Sequence, residues 1–326
     1  MLPAVVEPFT WQDGDRLVRF GRGTLAEAGD LLGAGYVLLT TERAGASAPE
    51  VVARAAAVHH VPSGRVDEVA GDLLESVAGD ALFVALGGGR VVDVAKSLAA
   101  ARRGDVAAVP TTLSAAEMTG GHRHARGVDP STPHVRPRLV LNDPALSASQ
   151  PEHELAASAA NALGHAVEGV AMRDASPVPV LAAREAVRLL AIDDDRDALA
   201  LGALLSGYVI DATGLGLHHV LAQTLARFAG VGHGAANAAM LPHTTAALRR
   251  RAPDQLAALD AAAGVEMEAL ARRFAQRAGA QQLRDHGVTE EALETCVREA
   301  LSRPQLDHTP PAANEPEVRA LYEAAW

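Results

Sequence analysis

The spacing of apolar positions changes near residue 150. Before it, apolar runs of strand length recur: LVRF at 17–20, YVLLTT at 36–41, AVHHV at 57–61, ALFVAL at 81–86, VAAV at 106–109 and RLVLN at 138–142. Amphipathic stretches at 47–56, 65–78 and 91–103 lie between several of them. A parallel strand covered on both faces reads as an unbroken apolar run, whereas a surface helix reads as a stripe. Their alternation predicts an N-terminal Rossmann-like α/β domain with a mostly parallel sheet, over residues 1–150.

From Pro151 the pattern is helical. Proline followed by the acidic run EHE suits a helix start, where a preset φ and negative charge are both favourable. Ala- and Leu-rich periodic segments follow at roughly 152–172, 178–191, 195–212, 215–228, 234–249, 254–263, 266–279, 289–302 and 316–325. Nothing among them reads as a strand, so residues 151–326 are expected to form an all-helical C-terminal domain. The segment MTGGHRHARGVDPSTPHVRPR at 118–138 fits neither pattern. Its Gly, Pro, His and Arg content predicts an exposed hairpin or loop between two strands.

Composition narrows the picture. With 326 residues, 48% of them hydrophobic and 21% charged, the chain can build substantial cores in two soluble domains. Its single cysteine, Cys296, allows no internal disulfide and no cysteine-held metal cluster, which fits a reducing cytoplasm. The N-terminal segment lacks the features of a secretion signal, and no long uninterrupted apolar run follows, so neither export nor membrane insertion is expected. A net charge of −11 and an aromatic content of 3% argue against nucleic acid as a partner.

The chemistry concentrates in residues 161–243. His165, His218, His219, His233 and His243 sit on segments that otherwise read as apolar helices. Asn161 precedes His165 by one helical turn, Glu168 follows it, and Gln223 follows His219 at the same spacing, so these side chains share faces. Core histidines bonded to the backbone are the bland reading. In the first domain, LGGGRVVDVAK runs from a strand into a helix through Gly87, Gly88 and Gly89. Free N–H groups at such a helix start can face a phosphate, with Asp93 and Lys96 close behind, although a steric reason for the glycines is equally open. Thr111 and Thr112 end the next strand, where they could touch a nucleotide or merely cap a turn. Thr41 and Glu42 lie at the end of the YVLLTT strand, where an acid can accept from ribose hydroxyls. The neighbouring Arg43 could instead meet a 2′-phosphate.

Taken in order, GGGRVVDVAK, VPTTLSAAEMT, NALGHAVEG and GLHHVLAQTLARFAGVGHGAANAAMLPH resemble the iron-containing alcohol dehydrogenase superfamily, whose fold dehydroquinate synthase-like enzymes share. The resemblance covers nearly the whole chain. The Asn of NALGHAVE, the doubled histidine of GLHH and the run RPRLVLNDPALSASQP are most similar to its maleylacetate reductase branch. It implies an NADH- or NADPH-dependent reductase, acting on a small anionic carbonyl substrate in a cleft between the domains, and a homodimer.

The resemblance also implies a metal position at residues 161, 165, 219 and 233, where metal-dependent members carry Asp rather than Asn161. Loss of that carboxylate points to no metal, with His165, His219 and His233 as candidate general acids and His218 behind them; a metal, if bound, would use His165, His219 and His233. His243 reads as structural. Arg123 and Arg136, within a loop that also holds His122, His124, Arg126, His134 and Arg138, are candidates for the substrate carboxylates, and Gln223 for the substrate. Arg90, Gln223, Ala226 and Arg227 depart from the family pattern, as does the absence of a loop lysine. Two alternatives stay open: non-redox chemistry in the same cleft, and a metal-dependent alcohol dehydrogenase.

Overall fold

The computed structural model describes residues 6–77, 81–192 and 195–326. The start of the N-terminal segment and the last residue of the 65–78 stretch lie outside the described residues. The chain folds into two compact units, 1–150 with 195–201, and 151–194 with 202–326.

The first unit holds a seven-stranded sheet in the order β1-β2-β7-β6-β5-β3-β4. Its strands are β1 (Phe9–Asp13), β2 (Arg16–Phe20), β3 (Val37–Thr40), β4 (Ala57–His60), β5 (Leu82–Gly87), β6 (Asp105–Pro110) and β7 (Leu139–Asn142). The expected strands are all present. β1 is an addition to them: it pairs antiparallel with β2, and the other pairings are parallel. As an edge strand whose alternate residues are only half-buried, FTWQD carries no apolar run. Gly14, at φ +62°, turns the hairpin.

Helices α1 (Ala28–Leu32), α2 (Glu42–Ser47), α3 (Pro49–Val52), α4 (Val66–Leu73) and α5 (Gly89–Arg102) cover the sheet. Successive side chains of a strand point to opposite faces, and the cores follow that rule. Val37, Leu39, Phe83, Ala85, Val106 and Ala108 pack with α4 and α5, whereas Leu38, Val84, Leu86, Ala107 and Val109 pack with α1, α2 and α3. Each large buried side chain contributes about 1.5–3 kcal/mol.

The strand order places a topological switch between β3 and β5. The chain leaves β3 for β4 at one edge, then returns to β5 and proceeds through β6 to β7. In open α/β sheets, ligands bind outside the carboxyl ends of the strands at such a point.

The second unit is built from α6 (Glu152–Gly169), α7 (Pro177–Leu190), most of α8 (Arg196–Thr213), α9 (Leu217–Phe228), α10 (His233–Arg251), α11 (Pro253–Ala263), α12 (Met267–Arg277), α13 (Glu290–Leu301) and α14 (Glu315–Ala325). No strand occurs among its described residues. α6 lies against α7, α9, α10 and α12, and is buried continuously from Ala159 to Gly169. A helix covered on every side has no solvent for its polar side chains, so Asn161, His165 and Glu168 must find partners within the protein. Among the described residues no single helix is long and apolar enough to cross a membrane.

The 118–138 segment is a loop joining β6 to β7, with no strand of its own. It is anchored more firmly than an exposed loop. The Lys96 ammonium, buried on α5, donates to the carbonyls of Ala116 at 3.0 Å, Thr119 at 3.1 Å and Gly121 at 2.8 Å, and pairs with Asp93 at 2.8 Å. Arg16, also buried, donates to the Met118 carbonyl at 2.5 Å.

Candidate active site

In the helical unit, Glu168 organises two histidines. Its Oε1 accepts from the backbone N–H of His218 at 2.5 Å, at the first turn of α9. Its Oε2 lies 2.7 Å from His219 Nδ1, which fixes the His219 proton on Nδ1 and turns the Nε2 lone pair away from the carboxylate. His218 Nδ1 lies 2.8 Å from the Thr244 hydroxyl, which itself donates back to the Met240 carbonyl at 3.0 Å along α10. The imidazole therefore donates and the hydroxyl accepts.

On α6 the Asn161 amide meets His165 Nε2 at 3.4 Å, a long hydrogen bond. Asn237 and His233 repeat the arrangement on α10 at 3.2 Å, one helical turn apart. The His165 and His219 rings stack at 4.6 Å between centroids, and His218 meets His219 edge-on at 4.8 Å. His165 Nδ1 and His219 Nε2 are buried, with no hydrogen-bond partner among the described residues.

Burial governs protonation here. It pushes His218 and His219 down to about 3 and His165 well below the ordinary value, and the neighbouring imidazoles add to the effect. The same burial raises Glu168. The group thus holds neutral imidazoles at neutral pH. Close packing keeps it in register: a Cβ at Gly164 would sit 2.6 Å from His218 Nε2.

Of the sequence candidates, His165, His218, His219 and Asn161 come together in this group, and His233 lies within electrostatic reach of the first three. His243 is elsewhere, lining a cavity of about 600 Å³ with Arg250, Glu268 and Arg272. Gln223 accepts from Arg303 at 3.1 Å and so anchors the start of the 304–308 turn. Asn237 is not among the sequence candidates, although its spacing of one helical turn from His233 is a signal for it. Thr244 had no sequence signal, because only helix packing brings it to His218.

In the sheet unit, Gly88 is the N-cap of α5, without a side-chain cap. The glycines also answer to packing. A Cβ at Gly88 would meet the Thr112 side chain at 2.9 Å, and one at Gly89 would meet Ser114 at 3.0 Å. Thr41 and Glu42 follow β3 across the switch point. Thr41 caps α2, its hydroxyl accepting from the Ala44 N–H at 3.3 Å, and Glu42 is exposed. Thr111 donates its N–H to the Gly87 carbonyl at 3.0 Å, tying the ends of β5 and β6 together. Lys96 and Asp93 are the exception among the cofactor candidates. The ammonium is engaged by the 116–121 carbonyls and by Asp93, because a buried cation must be satisfied locally.

The cationic loop is largely neutralised. Arg136 pairs with Asp15 at 2.8 Å, Arg126 with Asp72 at 2.6 Å and Arg138 with Asp105 at 2.6 Å. Burial lowers His134 and brings His122 down to about 4, so neither supplies charge at neutral pH. Arg123 is exposed.

With fold and site in view, the comparisons agree. Residues 155–326 match the family model described as Fe-containing alcohol dehydrogenase family, C-terminal. Maleylacetate reductase 2 of Cupriavidus pinatubonensis is 34% identical over 227 residues, 64% of this chain and 61% of that relative. The maleylacetate reductase of Sphingobium indicum is 33% identical over 255 residues, 70% of this chain and 72% of that relative. The crystal structure of maleylacetate reductase from Rhizobium sp. strain MTP-10005 superposes with a TM-score of 0.81 at 28% identity, covering 98% of each chain. The chain belongs to the iron-containing alcohol dehydrogenase superfamily and is an oxidoreductase of that superfamily.

A dication of the kind this family's name implies would need donors at 161, 165, 219 and 233, and the residues present do not fit it. Asn161 contributes a neutral amide in place of a carboxylate, and its nitrogen is turned to His165. Among the described residues, the trio of imidazoles with donor atoms gathered together is His122, His124 and His134, in the other unit.

Proposed function

We propose that this protein reduces a small anionic keto acid of the maleylacetate kind with NADH or NADPH, without a metal, and that a buried histidine does the work of the Lewis acid. One observation carries the reading. Beside an amide, where a metal site would need a carboxylate, two buried imidazoles leave His165 Nδ1 and His219 Nε2 without partners among the described residues.

The dinucleotide, when bound, supplies the hydride. The uncapped start of α5 at Gly87, Gly88 and Gly89 suits its pyrophosphate, with Arg90 exposed at the first turn. Thr41 and Glu42, across the switch point, are the residues assigned to its ribose.

As negative charge grows on the substrate oxygen, an imidazole N–H stabilises it and passes its proton to the alkoxide, and the ring regains a proton from solvent. With the Asn161 amide directed at Nε2, His165 carries its proton on Nδ1, and that N–H is the donor. A neutral imidazole is competent in this role. His219 holds a lone pair on Nε2, and a proton taken up there is stabilised by the Glu168 carboxylate on Nδ1. Arg123, exposed on the loop, is the cation assigned to a substrate carboxylate.

The test is a steady-state screen of dicarboxylic keto acids against simple aldehydes, with both nucleotides. Turnover of the dicarboxylic keto acids with at least one nucleotide is expected. Failure of both nucleotides to bind at sub-millimolar concentration would remove the reductase reading and favour non-redox chemistry.

A further inference from the structure

The loop between β6 and β7 gathers three histidines that the reductase site does not use. His122 and His124 lie on the irregular segment after Gly121, two residues apart, with their rings edge-on at 5.3 Å between centroids. The loop then turns through Gly127 and Pro133 and returns. The Val135 N–H donates to His122 Nε2 at 3.2 Å, which closes the return. That closure places the His134 ring flat on His124, at 4.8 Å between centroids and 5° between planes, and edge-on to His122 at 4.7 Å. Ligand-capable nitrogens of all three lie within 4.8 Å of one another.

Hydrogen bonding accounts for only part of this arrangement: His122 engages both of its nitrogens, and an ion would take Nε2 over from the Val135 N–H. His124 Nδ1 is buried and has no partner among the described residues, a condition that is unfavourable unless a ligand satisfies it. His122 Nδ1 lies 3.1 Å from the Arg123 carbonyl, so it carries the proton and Nε2 carries the lone pair. A backbone carbonyl that fixes the tautomer in this way is the usual outer support of a metal-binding imidazole.

Charge around the trio is balanced. Lys96 is the nearby cation, and it is paired with Asp93. Asp129, on the same loop, lies within electrostatic reach of His124. Three nitrogen donors without a carboxylate among them select a borderline transition-metal dication over magnesium or calcium. Zinc–imidazole bonds of about 2.0–2.1 Å put the nitrogens of a tetrahedral set about 3.4 Å apart. Modest ring rotations, with His134 exposed, cover the difference.

We infer that residues 119–138 form a zinc-class binding loop, in which His122, His124 and His134 hold the ion, a water or small anion completes the set, and the bound ion clasps the loop. The site shares no residue with the helical histidine group. The segment is held midway by Ala125 in the core and by the Arg126 N–H on the Asp67 carbonyl, and one ion between His122 and His134 adds a closure on either side of that anchor.

The experiment is calorimetric titration of the chelator-treated protein with Zn²⁺, with His134→Ala and His124→Ala alongside. Limited tryptic cleavage after Arg123 and Arg126 is followed in parallel. The wild type is expected to bind an equivalent of zinc that either variant weakens by about tenfold or more, and zinc is expected to slow cleavage at both arginines in the wild type only. Mg²⁺ is expected to do neither. His134 is exposed, so its replacement keeps the fold, and far-UV circular dichroism without metal checks both variants. Unchanged zinc affinity and stoichiometry in His134→Ala would overturn the site, as would zinc binding that leaves tryptic cleavage unaltered or equal protection by Mg²⁺.

Discussion

Glu168 sets what the neighbouring histidines can do, since one carboxylate fixes both the start of α9 and the tautomer of His219. Glu168→Gln keeps a hydrogen bond to His219 but removes the charge that stabilises its protonated form, so turnover should fall while circular dichroism is unchanged. His165→Ala removes the N–H assigned to the substrate oxygen, and kcat should drop by about 100- to 10,000-fold, the range for loss of a general acid; wild-type turnover would refute that role. Asn161→Asp restores the missing anionic donor. In a His134→Ala background, which silences the loop, it should raise zinc affinity by at least about tenfold, since even outer-sphere changes shift metal affinity that far. Asn161 and His165 were legible because helical periodicity alone joins them. Thr244 was not, because no local pattern links residues that meet only when α9 packs on α10.

At the scale of elements, the sheet and helices were legible wherever burial imposes a period, and not where it does not. Covered strands β3, β5 and β6 read as apolar runs, while the half-buried edge strand β1 left no such mark. Lys96 is deceptive for a related reason: sequence places it two helical turns beyond the glycines, but only the fold shows the 116–121 carbonyls converging on it. Lys96→Met should therefore lower the thermal midpoint, leaving buried carbonyls at about 1–3 kcal/mol each, with little change in nucleotide Kd for protein that remains folded. The helical histidines predict a pH dependence. Their folded pKa values lie below the ordinary 6.5, so the unfolded chain takes up protons that the fold refuses. Their contribution is complete above about 6.5 and is lost as pH falls toward about 3. Glu168 works in the opposite sense, with its contribution present below the ordinary 4.5 and lost as pH rises through its elevated value, but three histidines outweigh it. Urea midpoints should fall from pH 7 to pH 5, and an unchanged or higher midpoint at pH 5 would contradict the neutral assignment.

For the molecule as a whole, the superfamily fold is retained while the donor set is not. The first unit keeps the switch point, the glycine turn and Thr41 and Glu42 at strand ends, as a dinucleotide requires. The second keeps histidine at three of the four positions where the resemblance places a metal, with an amide at the fourth. Sequence order and spacing carried this much, because the motifs are local; the partner of each imidazole and the neutralised charge of the loop depend on contacts between distant segments. The central claim is that reduction here runs on an imidazole. It is tested most directly by NAD(P)H-linked turnover of maleylacetate by exhaustively chelated protein, in the wild type and in His134→Ala. Undiminished kcat in both, with iron and zinc below stoichiometry by elemental analysis, is the predicted result. Activity lost on chelation and restored by added iron or zinc in both proteins would contradict it.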